Sequence, residues 1–171
     1  MYPASPVPAL PAAVSLRPIT PSNRTAVEAL RVAVGQEAFV DGVGRSLADA
    51  ADMPDANPWY RAVYAGAVPV GFVMLGDDVP PGNPHLPWRY YLWRMLIDAR
   101  FQGRGYGRAG LDRVVAYLRT RPGAEVLVTS VVPGVGSPMG FYQRYGFRPT
   151  GEMFDHEHVL QLRLDDVPPT R

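Results

Sequence analysis

The sequence predicts a mixed α/β (α+β) domain, and three observations lead there. An apolar run, Tyr90 to Ile97, leads through the glycine-rich stretch Gln102-Gly103-Arg104-Gly105-Tyr106-Gly107 into a helical pattern, which makes a strand–turn–helix unit. Ahead of it, Trp59 to Tyr64 and Val68 to Leu75 flank the turn Ala65-Gly66-Ala67 and read as an antiparallel hairpin. Behind it come one more strand, Val126 to Val131, one short helix and then two strand-like segments, Phe147 to Glu152 and His158 to Leu164. A chain of repeated strand–helix units would not end this way.

Composition bounds the rest. A length of 171 residues suits one domain with a real core. The 17 basic and 16 acidic residues nearly cancel, so no global charge calls for nucleic acid. No apolar run approaches the length of a membrane span and no secretion signal opens the chain, which leaves a cytoplasmic protein without a membrane partner as the expectation. Cysteine is absent, so disulfides, thiolate metal sites and a cysteine nucleophile are excluded together. Any thiol chemistry must arrive with a ligand.

In chain order, residues 1–13 are rich in proline and alanine and read as a disordered tail. Val14 to Ile19 forms a first strand; Thr20 then caps a helix with Pro21 at its first position, running to about Val34 with Val27, Leu30 and Val34 on its buried face. A second, shorter helix lies between Gly35 and Asp55, interrupted by Gly42 and Gly44. After the hairpin, Gly76 to Pro87 holds four prolines and two glycines and must be a loop. Tyr90 to Ile97, with Arg94 its one charged residue, fits a central strand covered on both faces. Leu111, Val114, Val115 and Leu118 then mark one helical stripe, which Arg121-Pro122-Gly123 ends. Met139 to Tyr145 is a short helix closed by Gly146. The domain therefore spans 14–164, with 165–171 as a C-terminal tail.

The glycine stretch carries the chemistry. Glycines let the backbone turn tightly, and the helix start behind them offers unpaired N–H groups to an anion, so a phosphorylated ligand is expected there. Gly105-Tyr106-Gly107-Arg108-Ala109-Gly110 also matches the dinucleotide pattern G-x-G-x-x-G, with Glu125 downstream as its acid. The element order argues against a dinucleotide domain, because too few strand–helix units follow the glycines.

Arg100-Phe101-Gln102-Gly103-Arg104-Gly105-Tyr106-Gly107 resembles the pyrophosphate loop of the GNAT superfamily of N-acetyltransferases. Gln102, Gly105 and Gly107 fill its pattern of Arg or Gln, two residues, Gly, one residue, Gly or Ala. Phe141-Tyr142-Gln143-Arg144-Tyr145-Gly146-Phe147 is similar to the second signature of that superfamily, and Trp93 to Gly107 is worded like its spermine/spermidine (diamine) acetyltransferase branch. The resemblance implies a GNAT fold: a mixed, mostly antiparallel sheet of six to seven strands, about four helices, and a V-shaped opening between Tyr90–Ile97 and Val126–Val131. It implies acetyl-CoA as cosubstrate, no metal, and a small-molecule primary amine, polyamine-like or aminoglycoside-like, as acceptor. The alternatives are a protein or peptide acceptor, and an acyl-CoA-binding module without turnover. A homodimer is carried as a possible assembly, since exposed strand edges often pair.

By the same resemblance, Leu96 and Ile97 pair with pantetheine through their backbone, and Gln102, Gly103, Arg104, Gly105, Tyr106 and Gly107 hold the pyrophosphate, with Arg104 or Arg108 adding charge. Tyr142 donates to the departing thiolate as general acid. Where the family often carries asparagine this chain has Val135, and either Ser137 or backbone alone takes its place. The amine needs a base, for which Glu37, Asp41, Asp77, Asp78 and Glu152 are candidates. Arg94 would repel a cationic acceptor if it faced the cleft. His156 and His158 lack a third ligand and read as strand or turn residues.

Overall fold

A computed structural model of the chain describes residues 12–170, so all but the last two residues of the expected N-terminal tail lie outside the described residues. Among the described residues seven strands form one sheet: β1 (Val14–Arg17), β2 (Pro58–Ala65), β3 (Val68–Asp77), β4 (Tyr90–Ile97), β5 (Val126–Val131), β6 (Arg148–Phe154) and β7 (Glu157–Arg163). Their order is β1-β2-β3-β4-β5-β7-β6, and every neighbouring pair is antiparallel except β4 and β5. The helices are α1 (Arg24–Glu28), α2 (Val43–Asp52), α3 (Tyr106–Leu118) and α4 (Met139–Tyr145).

Each face of the sheet is covered. The α3 stripe of Leu111, Val114, Val115 and Leu118 packs with Val63, Val73, Leu75 and Leu92 on one side, and burial of each such side chain contributes about 1.5–3 kcal/mol. On the other side Val27, Leu30, Val43, Leu47 and Ala50 cover Ala62, Phe72, Met74 and Leu96. A bulge interrupts this pattern in β4: Met74 pairs with Arg94 and Leu75 with Leu92, so Trp93 is the extra residue. Trp93 packs on the α2 side, and Arg94 bonds Asp49 of α2 from that same side.

The first helix differs from its expectation. It runs only over Arg24–Glu28, because Thr20 O accepts the N–H groups of both Asn23 and Arg24 and the preceding residues form a turn. It ends early because Arg31 leaves it for a tertiary partner: Arg31 N–H donates to Asp98 Oδ2 at 2.9 Å, and Ala99 N–H donates to Arg31 O at 2.8 Å. Val34, assigned to the buried face, is 98% exposed. In α2, Gly42 is the N-cap and Gly44 lies inside the helix rather than interrupting it. At the other end, Leu164 to Asp166 forms a 3-10 turn, and Val167 of the expected tail is buried against the core, where Arg119 Nη2 holds Leu164 O at 2.7 Å.

Candidate active site

The parallel neighbours β4 and β5 meet at one backbone pair, Tyr91 with Val128. One residue further the strands are linked by a side chain, Thr129 Oγ1 donating to Leu92 O at 3.0 Å. Beyond that they part, and the β4 edge from Met95 to Ile97 lines a cleft of about 660 Å³. This is the V-shaped opening expected from the sequence. A cleft of this size falls within the usual range for small-molecule sites.

The glycine stretch forms one end of the cleft. Gly103 and Gly105 take φ of 72° and 85°, a region that costs an L side chain energy, and Gly105 is the N-cap of α3. Gly107 has a different reason: a Cβ there would lie 3.1 Å from the Phe141 ring. Among the described residues the N–H groups of Gly103 to Gly107 have no hydrogen-bond partner, so the positive end of α3 and its free donors face the cleft together. Gln102 acts from behind the loop. Its Nε2 donates to Ile97 O at 2.9 Å and to Gln36 Oε1 at 2.7 Å, which ties the loop to β4 and to the α1–α2 connection.

Of the residues singled out from the sequence, Leu96, Ile97, Gln102, Gly103, Gly105, Tyr106, Gly107, Ser137 and Tyr142 all line this cleft. Arg104 does not and is exposed; the basic residues on the lining are Arg108, set over the Tyr145 ring at 5.4 Å, and Arg144. Ser137 has its hydroxyl engaged locally, donating to Val132 O and accepting Met139 N–H at 3.2 Å, so it serves the start of α4. Val135 is fully exposed and off the lining. Phe39 and Val40 of the α1–α2 connection were not foreseen, because nothing in their spacing tells which strand edge a loop crosses.

Tyr142 occupies the decisive position. It is 6% exposed and lines both the large cleft and a second cavity of about 200 Å³. Among the described residues its hydroxyl has no hydrogen-bond partner, and burial, with Tyr91 nearby, pushes the phenol well above its ordinary value. It therefore stays protonated through the neutral range.

The smaller cavity is lined by Glu37, Asp41, Tyr91, Trp93, Arg94, Ser130 and Glu157, among others. Arg94 does reach it, but its guanidinium is paired with Asp41 at 2.9 Å and Asp49 at 3.1 Å, so its charge is largely cancelled. Of the five candidate bases, Glu37 and Asp41 are present, Glu37 accepting Gly35 N–H at 2.6 Å. The other three lie elsewhere. Asp77 is held by Tyr117 and by Arg121 at 3.0 Å, Asp78 by Arg89 at 2.6 Å, and Glu152 is exposed on β6. Glu157 was missed: its neighbours His156 and His158 drew the reading, yet both are exposed, and His156 sits with Asp155 in a tight turn at positive φ.

Among the described residues no helix is long and apolar enough to cross a membrane, and no group of three or more His, Cys, Asp or Glu is placed to hold a metal. The sequence model of the acetyltransferase (GNAT) family matches residues 45–147. A spermine/spermidine N(1)-acetyltransferase of Bacillus subtilis is 28% identical over 152 residues, covering 88% of this chain and 99% of that protein. Two solved structures share the fold. One is the GNAT domain of S. lividans PAT, at TM-score 0.66 and 19% identity over 86% of this chain and 89% of that one. The other is a GNAT acetyltransferase of Elizabethkingia anophelis with acetyl-CoA bound, at TM-score 0.57 and 14% identity over 88% and 98%. A family match over more than half of the residues joins the two sequence signatures and the splayed strands in one answer: this chain belongs to the GNAT acetyltransferases and is an enzyme of acetyl-CoA-dependent acetyl transfer.

Proposed function

We propose that the acceptor is a primary amine of a small cationic molecule of the polyamine or diamine kind, attacked directly on acetyl-CoA in a ternary complex. The observation that carries this reading is the position of Tyr142 in the walls of both cavities. A thioester lying along the β4 edge of the large cleft and an amine in the small cavity would meet at this side chain. In this reading the free N–H groups of Gly103 to Gly107 hold the pyrophosphate, with Arg108 and Arg144 adding charge, and the backbone of Leu96 and Ile97 serves the pantetheine amides.

The small cavity supports a cationic aliphatic acceptor. Three carboxylates, Glu37, Asp41 and Glu157, and the aromatic rings of Phe39, Tyr91 and Trp93 surround about 200 Å³, while Arg94, the one cation among the described lining residues, is paired with Asp41 and Asp49. A slim chain suits that volume better than a bulky aminoglycoside or a peptide. The naming of the Bacillus subtilis relative points the same way.

Tyr142 would act as a hydrogen-bond donor to the departing sulfur. A phenol pushed further above ~10 is a weaker acid than the thiol near ~8.5, so it does not supply a proton outright. It passes one on as the nitrogen of the tetrahedral intermediate gives one up. The test is release of free CoA from acetyl-CoA with spermidine, spermine, a diamine, an aminoglycoside and a peptide amino terminus. Turnover with the first three is expected. Release with none of the five would put the acceptor outside these classes, and release with the peptide alone would move the acceptor to proteins.

A further inference from the structure

Three polar side chains from three different strands meet in the small cavity. Tyr91 comes from β4, Ser130 from β5 and Glu157 from the first position of β7. The Tyr91 hydroxyl lies 2.5 Å from Ser130 Oγ, and Ser130 Oγ donates to Glu157 Oε2. A serine hydroxyl has a single proton, and here the carboxylate takes it. Ser130 is thus the acceptor in its bond with Tyr91, and Tyr91 must be the donor. Both protons point the same way, toward Glu157, and the phenol oxygen keeps a lone pair for a donor arriving in the cavity.

We infer that Tyr91, Ser130 and Glu157 form a hydroxyl relay that carries a proton from the ammonium group of the acceptor to the Glu157 carboxylate. This rests on the amine reading above. An alkylammonium near pKa ~10 is only about one part in a thousand neutral at pH 7, so something must take its proton before the nitrogen can attack. One ammonium N–H bond breaks as Tyr91 takes that proton, Tyr91 gives its own to Ser130, and Ser130 gives its own to Glu157. Glu157 ends neutral, both hydroxyls end as they began, and the freed amine adds to the thioester carbonyl. The second nitrogen proton leaves later, by way of Tyr142, to the thiolate. Glu157 returns its proton to solvent when product leaves.

The surroundings favour Glu157 over the other carboxylates of the cavity. Asp41 is paired with Arg94 and Glu37 accepts Gly35 N–H, whereas Glu157 is the carboxylate that the Ser130 hydroxyl joins to Tyr91. The charged and titratable groups that bear on the relay are Arg94 from β4, Asp155 from the β6–β7 turn, Tyr142 from α4, and Glu37 and Asp41 across the cavity. Burial, partly offset by Ser130, pushes the Tyr91 phenol up to about 12, so Tyr91 conducts a proton without resting as a phenolate.

The experiment compares wild type with Glu157→Gln, Ser130→Ala and Tyr91→Phe, using the preferred amine and a fluorinated analogue whose ammonium is far more acidic. Expected is a loss of about 100-fold or more in kcat/KM at pH 7 for Glu157→Gln and Ser130→Ala. That loss should shrink about tenfold per pH unit as the pH approaches the amine pKa, and should nearly vanish with the fluorinated amine, which needs no base. Tyr91→Phe should follow the same pattern, and acetyl-CoA affinity by calorimetry should stay within about twofold throughout. Variants close to wild type at pH 7 overturn the relay. So does a loss that is equal at every pH and with both amines, which would mark a structural role. A wild type that acetylates no amine overturns the amine reading and the relay with it; wild-type turnover beside undiminished variants overturns the relay alone.

Discussion

The hydroxyl of Thr129 on β5 donates to the main-chain oxygen of Leu92 on β4 at 3.0 Å, one residue past the last backbone pair between these strands. Both groups are buried, so this bond marks the vertex of the cleft and sets how early the strands separate. Thr129→Val keeps the volume and removes the hydroxyl that donates to the buried Leu92 carbonyl. The expected cost is about 1–3 kcal/mol, seen as a fall in Tm of several degrees. Thr129→Ser should recover most of it; equal losses in both variants would remove the hydrogen bond from the explanation.

Tyr142→Phe removes one oxygen from a buried ring that packs on Phe141 and Phe147. We expect kcat to fall about 100-fold or more while acetyl-CoA affinity is nearly unchanged, measured by steady-state kinetics and calorimetry. Because burial raises this phenol, it is protonated on both sides of neutrality, and the loss should be uniform from about pH 6 to pH 9. An unchanged kcat would remove Tyr142 from the chemistry.

Gly105→Ala tests the loop. Open space surrounds the position, but φ of 85° puts a side chain in the left-handed region at a cost of about 1–2 kcal/mol. Relaxing that strain turns the N–H groups at the start of α3 away from the cleft. The expected readouts are a Tm lower by about 2–8 °C and an acetyl-CoA Kd weaker by about fivefold or more. A variant with wild-type affinity would show that the free N–H groups are not the anion site.

Asp98 links the loop before the glycines to the α1–α2 connection, and its titration should be visible. Burial alone would push the carboxyl up, but bonds from the Arg100 side chain and from the N–H groups of Arg31 and Arg100 outweigh it and hold the pKa below its usual value. A depressed carboxylate contributes stability that is present above the unfolded value near ~3.9 and is lost as pH falls through the folded value. Wild type should therefore lose this contribution below about pH 4. Asp98→Asn should be less stable at pH 7 by about 1–3 kcal/mol and should lose less on acidification, as denaturant melts at pH 7 and pH 3 would show. Equal acid sensitivity in both proteins would place the effect elsewhere.

The sequence carried most of the frame because its signals were local. The pattern of Leu111, Val114, Val115 and Leu118 specifies a helix and its buried face wherever that helix is put, and β5 and α4 lie where their residues place them. The first helix failed for the converse reason. Spacing put Val34 on a buried face, but the N–H of Arg31 found Asp98, 67 residues away, and the helix stopped. A pattern count cannot see a partner that distant.

By itself, then, the sequence determined the strand–glycine–helix unit, the two signatures around Gln102 and Tyr142, and with them the kind of cosubstrate. Those are properties of a few adjacent residues, whose backbone angles and hydrogen-bond donors follow from their own chemistry. The tertiary structure alone decided which charges share the smaller cavity. It neutralised Arg94 with Asp41 and Asp49, left Asp77 and Glu152 far from the site, and brought Tyr91, Ser130 and Glu157 into contact from three strands. Sheet order and a one-residue bulge fix such meetings, and neither is written in any single segment of the chain.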